Sequence, residues 1–186
     1  MSNSLLNDML DTLITSKTRV KLLLKFFLNS ATRGYLRNLA DEFQESTNAI
    51  RVELIRLEEA GILESEPEGN KRFFHSNKNH PLFQELTSIV RKYMGIDQVI
   101  ETIALRLGNL DQVFLTGPIV NGVDDGILQI VLVGNEMDRE YLAKLAVKAE
   151  EIISKKISYV CFEPVAFSVF QKNRETDFFL IWDKNQ

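Results

Sequence analysis

Apolar positions recur with a helical period through the first sixty residues. Over 18–29, Val20, Leu23, Leu24 and Phe27 share one face among lysines and arginines, and the stretch ends at the turn-forming Asn29-Ser30, so an amphipathic helix is expected. A second, shorter helix is expected over 35–43, where Leu36, Leu39, Ala40 and Phe43 fall together. Ser46 offers an N-cap for a third over 47–60, with Ile50, Leu54 and Leu57 turned inward and Gly61 as its C-terminal stop. Three helices joined by short links predict a helix-turn-helix. The pattern then changes to short strand-like runs, 62–66 and 71–76, around Pro67-Glu68-Gly69-Asn70, a composition suited to a hairpin loop. A hairpin directly after a third helix is a wing.

After Asn79-His80-Pro81 the helical stripe resumes at Leu82, Leu86, Ile89, Val90 and Tyr93, with Pro81 expected in the first turn, where it is tolerated. Gly95 interrupts it, and 96–107 reads as helix again. From Val113 the grammar is that of an α/β domain: a strand at 113–115, a Gly-Pro turn and a short segment to Gly122, a turn at Asp124-Asp125-Gly126, and an apolar strand at 127–133. A helix at 141–153, a strand at 157–162 and a terminal strand or edge segment at 178–182 follow. The expected fold class is α+β in three parts. Residues 1–78 form the winged helix-turn-helix, 79–110 a helical connector whose long stripe suits dimerisation, and 111–186 the α/β domain.

Composition narrows the function. With 45% apolar residues, 186 residues suffice for two small cores. The net charge of −4 argues against a uniformly basic nucleic-acid binder, so the distribution of charge decides. Residues 1–78 carry 11 basic and 11 acidic groups and residues 79–186 carry 11 and 15, which assigns the acidity to the second half. Lys17, Arg19, Lys21, Lys25, Arg33 and Arg37 precede any acid before Asp41, either a local basic surface or a solvated helix face. No apolar run approaches the roughly 20 residues of a membrane span, and no basic segment followed by an apolar one opens residues 1–13. A cytoplasmic protein without a membrane partner is expected. Cys161 has no disulfide partner, and with only His75 and His80 it cannot complete a structural zinc site, so neither metal nor other cofactor is expected. Its alternating apolar surroundings suit a buried, inert thiol.

The segments STNAIRVELIRLEEAG (46–61), ILESEPEGNKRFFHSN (62–77) and NHPLFQEL (79–86) resemble the winged-helix domains of bacterial regulators of the arsenical-resistance and multiple-antibiotic-resistance types. The resemblance covers about residues 16–95 and implies double-stranded DNA as partner; a homodimer is expected because a single helix of this charge neutralises too few phosphates for useful affinity, while two heads read a two-fold site. The second half, 96–186, resembles the small nucleotidyltransferase domains that follow such a winged helix in some bacterial proteins. Active members of that family hold phosphate on a Gly-Ser turn and metal ions on an Asp-x-Asp strand. In VFLTG (113–117) Gly117 keeps the glycine, but Pro118 replaces the serine and removes a hydroxyl and a backbone N–H. Gly122 keeps the later glycine, and ILQIVLVG (127–134) puts Ile127 and Gln129 where the two aspartates belong. A degenerate domain, not an enzyme, is implied.

On the third helix Arg51 and Arg56 are candidates to read guanine edges or phosphates, or else to pair with Glu53 or Glu59. Thr47 and Asn48 at its start are placed for phosphate or base edges, and Arg37 adds to the basic surface. Asn70, Lys71 and Arg72 at the wing tip suit the DNA backbone or minor groove, against the counterweight of Glu66 and Glu68 on the same hairpin. Asp124-Asp125 reads as a turn rather than a metal site, and Phe162, Phe167, Phe170, Phe178, Phe179 and Trp182 as core or a partner surface. The leading expectation is a transcriptional regulator whose second domain dimerises or senses, leaving room for an unidentified small-molecule or protein effector. A nucleotidyltransferase or toxin-antitoxin component with unconventional residues, and a pure interaction scaffold, stay open beside it.

Overall fold

The computed structural model describes Thr12, residues 14–172 and residues 178–185. The leader region considered at 1–13 lies outside the described residues apart from Thr12. The chain is a mixed α and β protein in two compact units. One holds residues 14–90 with Asn121–Val123, the other Arg91–Val120 with the described residues of 124–185. Among the described residues no helix is long and apolar enough to cross a membrane.

In the first unit, helix α1 (Lys17–Leu28) is capped by Ser16, whose hydroxyl accepts the Arg19 N–H. Every residue from Leu22 to Leu28 is buried, Lys25 included, because its ammonium is neutralised by Glu42 at 2.7 Å. A two-residue strand β1 (Gly34–Tyr35) leads directly into α2 (Leu36–Phe43). Gln44 ends α2 in the left-handed region at φ 54°, and Ser46 caps α3 (Thr47–Glu59) by accepting the Ala49 N–H. Strands β2 (Leu63–Glu68) and β3 (Lys71–Ser76) form an antiparallel hairpin with Glu68 opposite Lys71. Its turn is therefore only Gly69-Asn70, and Gly69 supplies the positive φ of +62° that such tight turns require. Pro67, expected in the loop, stands inside β2 opposite Arg72. β1 pairs with β3 on the other side, giving the sheet order β1-β3-β2. Leu22, Phe26, Leu39, Ile50, Leu54 and Leu63 are all at most 1% exposed, so each contributes on the order of 1.5–3 kcal/mol by leaving water.

Helix α4 (Phe83–Met94) packs Phe83 against Phe27, ring centroids 5.6 Å apart. Pro81 lies in the turn ahead of it rather than in its first turn, and the Leu82 N–H is taken by His80 Nδ1.

In the second unit, α5 (Ile96–Val99) runs through a π-helical stretch (Ile100–Ala104) into α6 (Leu105–Leu107). Strand β4 (Leu110–Thr116) is followed by a 3-10 turn (Pro118–Asn121), β5 (Ile127–Gly134), α7 (Arg139–Ile153), β6 (Lys156–Phe162), α8 (Pro164–Lys172) and β7 (Phe179–Asp183). The sheet order is β6-β5-β4-β7, with β5 and β6 parallel through the α7 crossover and the other pairs antiparallel. Phe114, Val131, Val133 and Phe167 bury one face of this sheet, and the residues of opposite parity, Val113, Leu115, Leu128, Ile130 and Leu132, are buried as well. Burial on both faces explains the unbroken apolar run of β5.

Candidate nucleic-acid interface

The first unit places α3 and the β2-β3 hairpin on either side of a concavity of about 490 Å³. Arg37 from α2, Arg51 from α3, and Asn70, Lys71 and Arg72 from the hairpin all line it, together with Tyr35 and Ile55. Five of the eight residues expected to meet DNA are thus brought to one cleft, and no acid is among the residues that line it. Thr47 and Asn48 are exposed at the start of α3 and do not line it.

Electrostatics separates these basic groups. Among the described residues Arg37 and Arg51 meet no acid within ion-pair distance, so their charges remain available. Lys71 stacks its ammonium 4.3 Å from the centre of the Tyr35 ring, which holds the hairpin tip against β1 without cancelling charge. Arg72 is held by Glu58 at 2.6 Å and lies over the Phe74 ring, so it is largely neutralised. Arg56 is turned to Glu53 at 3.3 Å.

Glu53 is the buried hub of α3. Its carboxylate takes Arg19 of α1 at 2.8 Å as well as Arg56. Burial by itself would raise its pKa, but hydrogen bonds from Arg19 and Ser16 and the charges of Arg19 and Arg56 outweigh that and hold it below the ordinary carboxylate value. The same pairing ties α3 to α1. Lys21 makes a parallel link to Glu45, at 2.6 Å, in the turn between α2 and α3.

Two aliphatic side chains were overlooked in the charge-led reading of α3. Val52 and Ile55 are 39% and 40% exposed on its outer face. The signal was present in the spacing of Asn48, Val52 and Ile55, one stripe at i, i+4 and i+7.

A second concavity is lined by Glu58, Glu64 and Glu66 with His75 and Asn77. His75 Nδ1 lies 3.3 Å from the Ser76 carbonyl oxygen, and Glu66 approaches the ring at 3.6 Å.

The residues matched to a nucleotide site are arranged differently. Gln129 stands opposite Thr116, and its side chain covers Gly117 so closely that a Cβ there would lie 2.6 Å from Oε1. Pro118 is exposed and opens the 3-10 turn, and Ile127 is 40% exposed at the start of β5. Gly122, buried at φ +81°, belongs to the first unit, while the other four belong to the second. Asp124 and Asp125 accept the N–H groups of Gly126 and Ile127, both at 3.0 Å, and Asp124 is ion-paired to Lys155. Among the described residues no three His, Cys, Asp or Glu side chains converge to hold a metal. Cys161 is half-buried rather than fully buried, and burial pushes its thiol up against a smaller opposing pull from Arg139. Compared with family models, curated protein sequences and solved structures, the chain gives no match to any of them.

Proposed function

We propose that the protein binds double-stranded DNA through a winged helix-turn-helix and regulates transcription. The observation that carries the reading is the cleft in which Arg37, Arg51 and Lys71 converge from three elements with no acid among its lining residues. An α-helix fits the roughly 12 Å wide major groove, and cationic groups on either side of it neutralise phosphates. In this reading α3 enters the major groove, and the Gly69-Asn70 tip places Lys71 on the backbone or in the adjacent minor groove. The work is then done in the cytoplasm, by a homodimer on a two-fold site.

The second half is proposed to be a nucleotidyltransferase-like module without catalysis, kept for dimerisation or for sensing an effector. Support comes from the donor chemistry: Ile127 offers no ligand, Gln129 offers one neutral amide oxygen already laid over Gly117, and Pro118 has no N–H for phosphate. The test is fluorescence anisotropy of the full chain with labelled genomic fragments between 50 and 200 mM salt, where a protein that neutralises several phosphates loses on the order of tenfold or more in affinity. Binding that is absent, or indifferent to salt, sinks the proposal.

A further inference from the structure

We propose that the outer stripe of α3 reads thymine methyl groups, with Val52 and Ile55 as the methyl contacts and Asn48 as the reader of an adenine near the helix start. The inference rests on the duplex-binding reading above and specifies what that duplex must contain. α3 buries Ile50, Glu53, Leu54 and Leu57. At roughly 100° per residue the side of the helix opposite this stripe carries Asn48, Val52, Ile55 and Glu59, with Arg51 and Arg56 on its flanks.

Val52 and Ile55 sit near the centre of that outer side, each about two-fifths exposed. β-Branched residues are also poorer helix formers than the lysine or glutamate that a solvated face ordinarily carries. A single exposed aliphatic needs no explanation, but these two occupy successive turns of one face beside a cationic cleft. An apolar protein surface gains nothing from Arg37, Arg51 and Lys71, whereas a polyanion does. The DNA major groove offers both: phosphates along its walls and thymine 5-methyl groups on its floor. A-form RNA offers neither an accessible major groove nor the methyl.

Spacing sets the size of the readout. Asn48 and Ile55 are seven residues apart, about 10.5 Å along the axis at 1.5 Å per residue. That length matches about three base-pair steps at 3.4 Å. Asn pairs in bidentate fashion with adenine N6 and N7, so each half-site is assigned an adenine toward the helix start, followed within three or four steps by the thymines that Val52 and Ile55 meet.

The experiment uses the full chain and the tightest duplex selected from random fragments. Each thymine is replaced in turn by uracil, which removes only the methyl group. Uracil at one or two positions per half-site is expected to lower affinity about three- to fivefold, the loss appropriate to one buried methyl. With Val52→Ser or Ile55→Ser, which carry no methyl group, the thymine-uracil difference at the matching position is expected to vanish while the salt dependence persists. Since the substitutions in DNA need no protein variant, an unstable variant does not obscure the result. Tight, salt-dependent binding that is indifferent to uracil at every position overturns this inference and leaves the duplex-binding reading standing. Absence of binding to any duplex overturns both. A change in the sedimentation of the full chain on Ile55→Glu, with DNA binding unaltered, overturns it as well, by assigning the stripe to a protein partner.

Discussion

Arg51 and Lys71 line the same cleft from different elements, and the proposal gives them different work. Arg51, without an acid partner among the described residues, reaches from the helix that in the proposed complex enters the groove. Arg51→Ala is expected to cost about 1–3 kcal/mol and to flatten sequence preference. Lys71→Ala is expected to weaken specific and random duplex alike and to reduce the salt slope by about one. Anisotropy titrations on both kinds of DNA distinguish them, and equal loss on the two for Arg51→Ala makes it a phosphate contact. Glu53 belongs to stability instead. Its folded-state pKa is depressed, so its contribution is present above the unfolded-state value near 4.5 and is lost as pH falls through the lower folded value. Glu53→Gln is expected to cost about 1.5–3 kcal/mol at pH 7, the range for a hydrogen bond to a charged group. The gap to the parent should narrow in urea denaturation as pH falls below about 4.5, and a gap independent of pH refutes the assignment. The polar residues of the cleft were legible in the sequence because charge at helical spacing is conspicuous. Val52 and Ile55 are legible as well, since the inward stripe of Ile50, Leu54 and Leu57 leaves them outside, but they are less conspicuous than the charges of Arg51 and Arg56 beside them.

At the scale of elements, caps and periodicity located most of the structure. Ser46 and the spacing of Ile50, Leu54 and Leu57 specify α3 to within a residue. Where the reading stopped short, a physical cause can be named. β1 is only two residues long and takes its identity from pairing with Phe73 and Phe74, which no local pattern announces. α7 begins at Arg139, two residues ahead of the expected start at 141, because Asp138 caps it by accepting the Tyr141 N–H. α8 shows in the sequence only as an aromatic cluster, since Phe167 and Phe170 pack on Phe162 and Phe178 from a helix whose exposed side is also apolar, at Val165 and Val169. The hairpin turn is shorter than its composition suggested, which concentrates its geometry on Gly69. Nothing lies within 4 Å of a Cβ built there, so Gly69→Ala tests backbone conformation without a clash. It is expected to cost about 1 kcal/mol in stability and to weaken binding to all duplexes by displacing Lys71. A stabilised or unchanged protein in thermal unfolding contradicts this.

For the whole molecule the proposal requires two copies. Leu82 and Ile89, seven residues apart ahead of and within α4, are 54% and 39% exposed and give the connector an unpartnered apolar side. Ile89→Glu is expected to convert a dimer to a monomer in sedimentation equilibrium and to lower affinity for a paired half-site about a hundredfold, the scale of lost bivalency. A parent protein that sediments as a monomer and binds one half-site tightly refutes the requirement. The same chain is expected to transfer no nucleotide when incubated with each labelled nucleoside triphosphate and Mg²⁺ or Mn²⁺, since that chemistry needs anionic oxygens to hold its ions. Transfer that disappears on Asp124→Asn with Asp125→Asn defeats this expectation. The acid-lined second concavity bears on how an encounter begins. Its lining holds three carboxylates and no lysine or arginine, whereas the lining of the cationic cleft holds no acid, and such fields reach about 8 Å at physiological ionic strength. A duplex drifting in from that side is repelled before it touches, while one approaching α3 is not. With a net charge of −4 the protein gains little speed in finding DNA from a distance, but it discards wrongly oriented collisions early, so arrival is filtered by direction rather than accelerated.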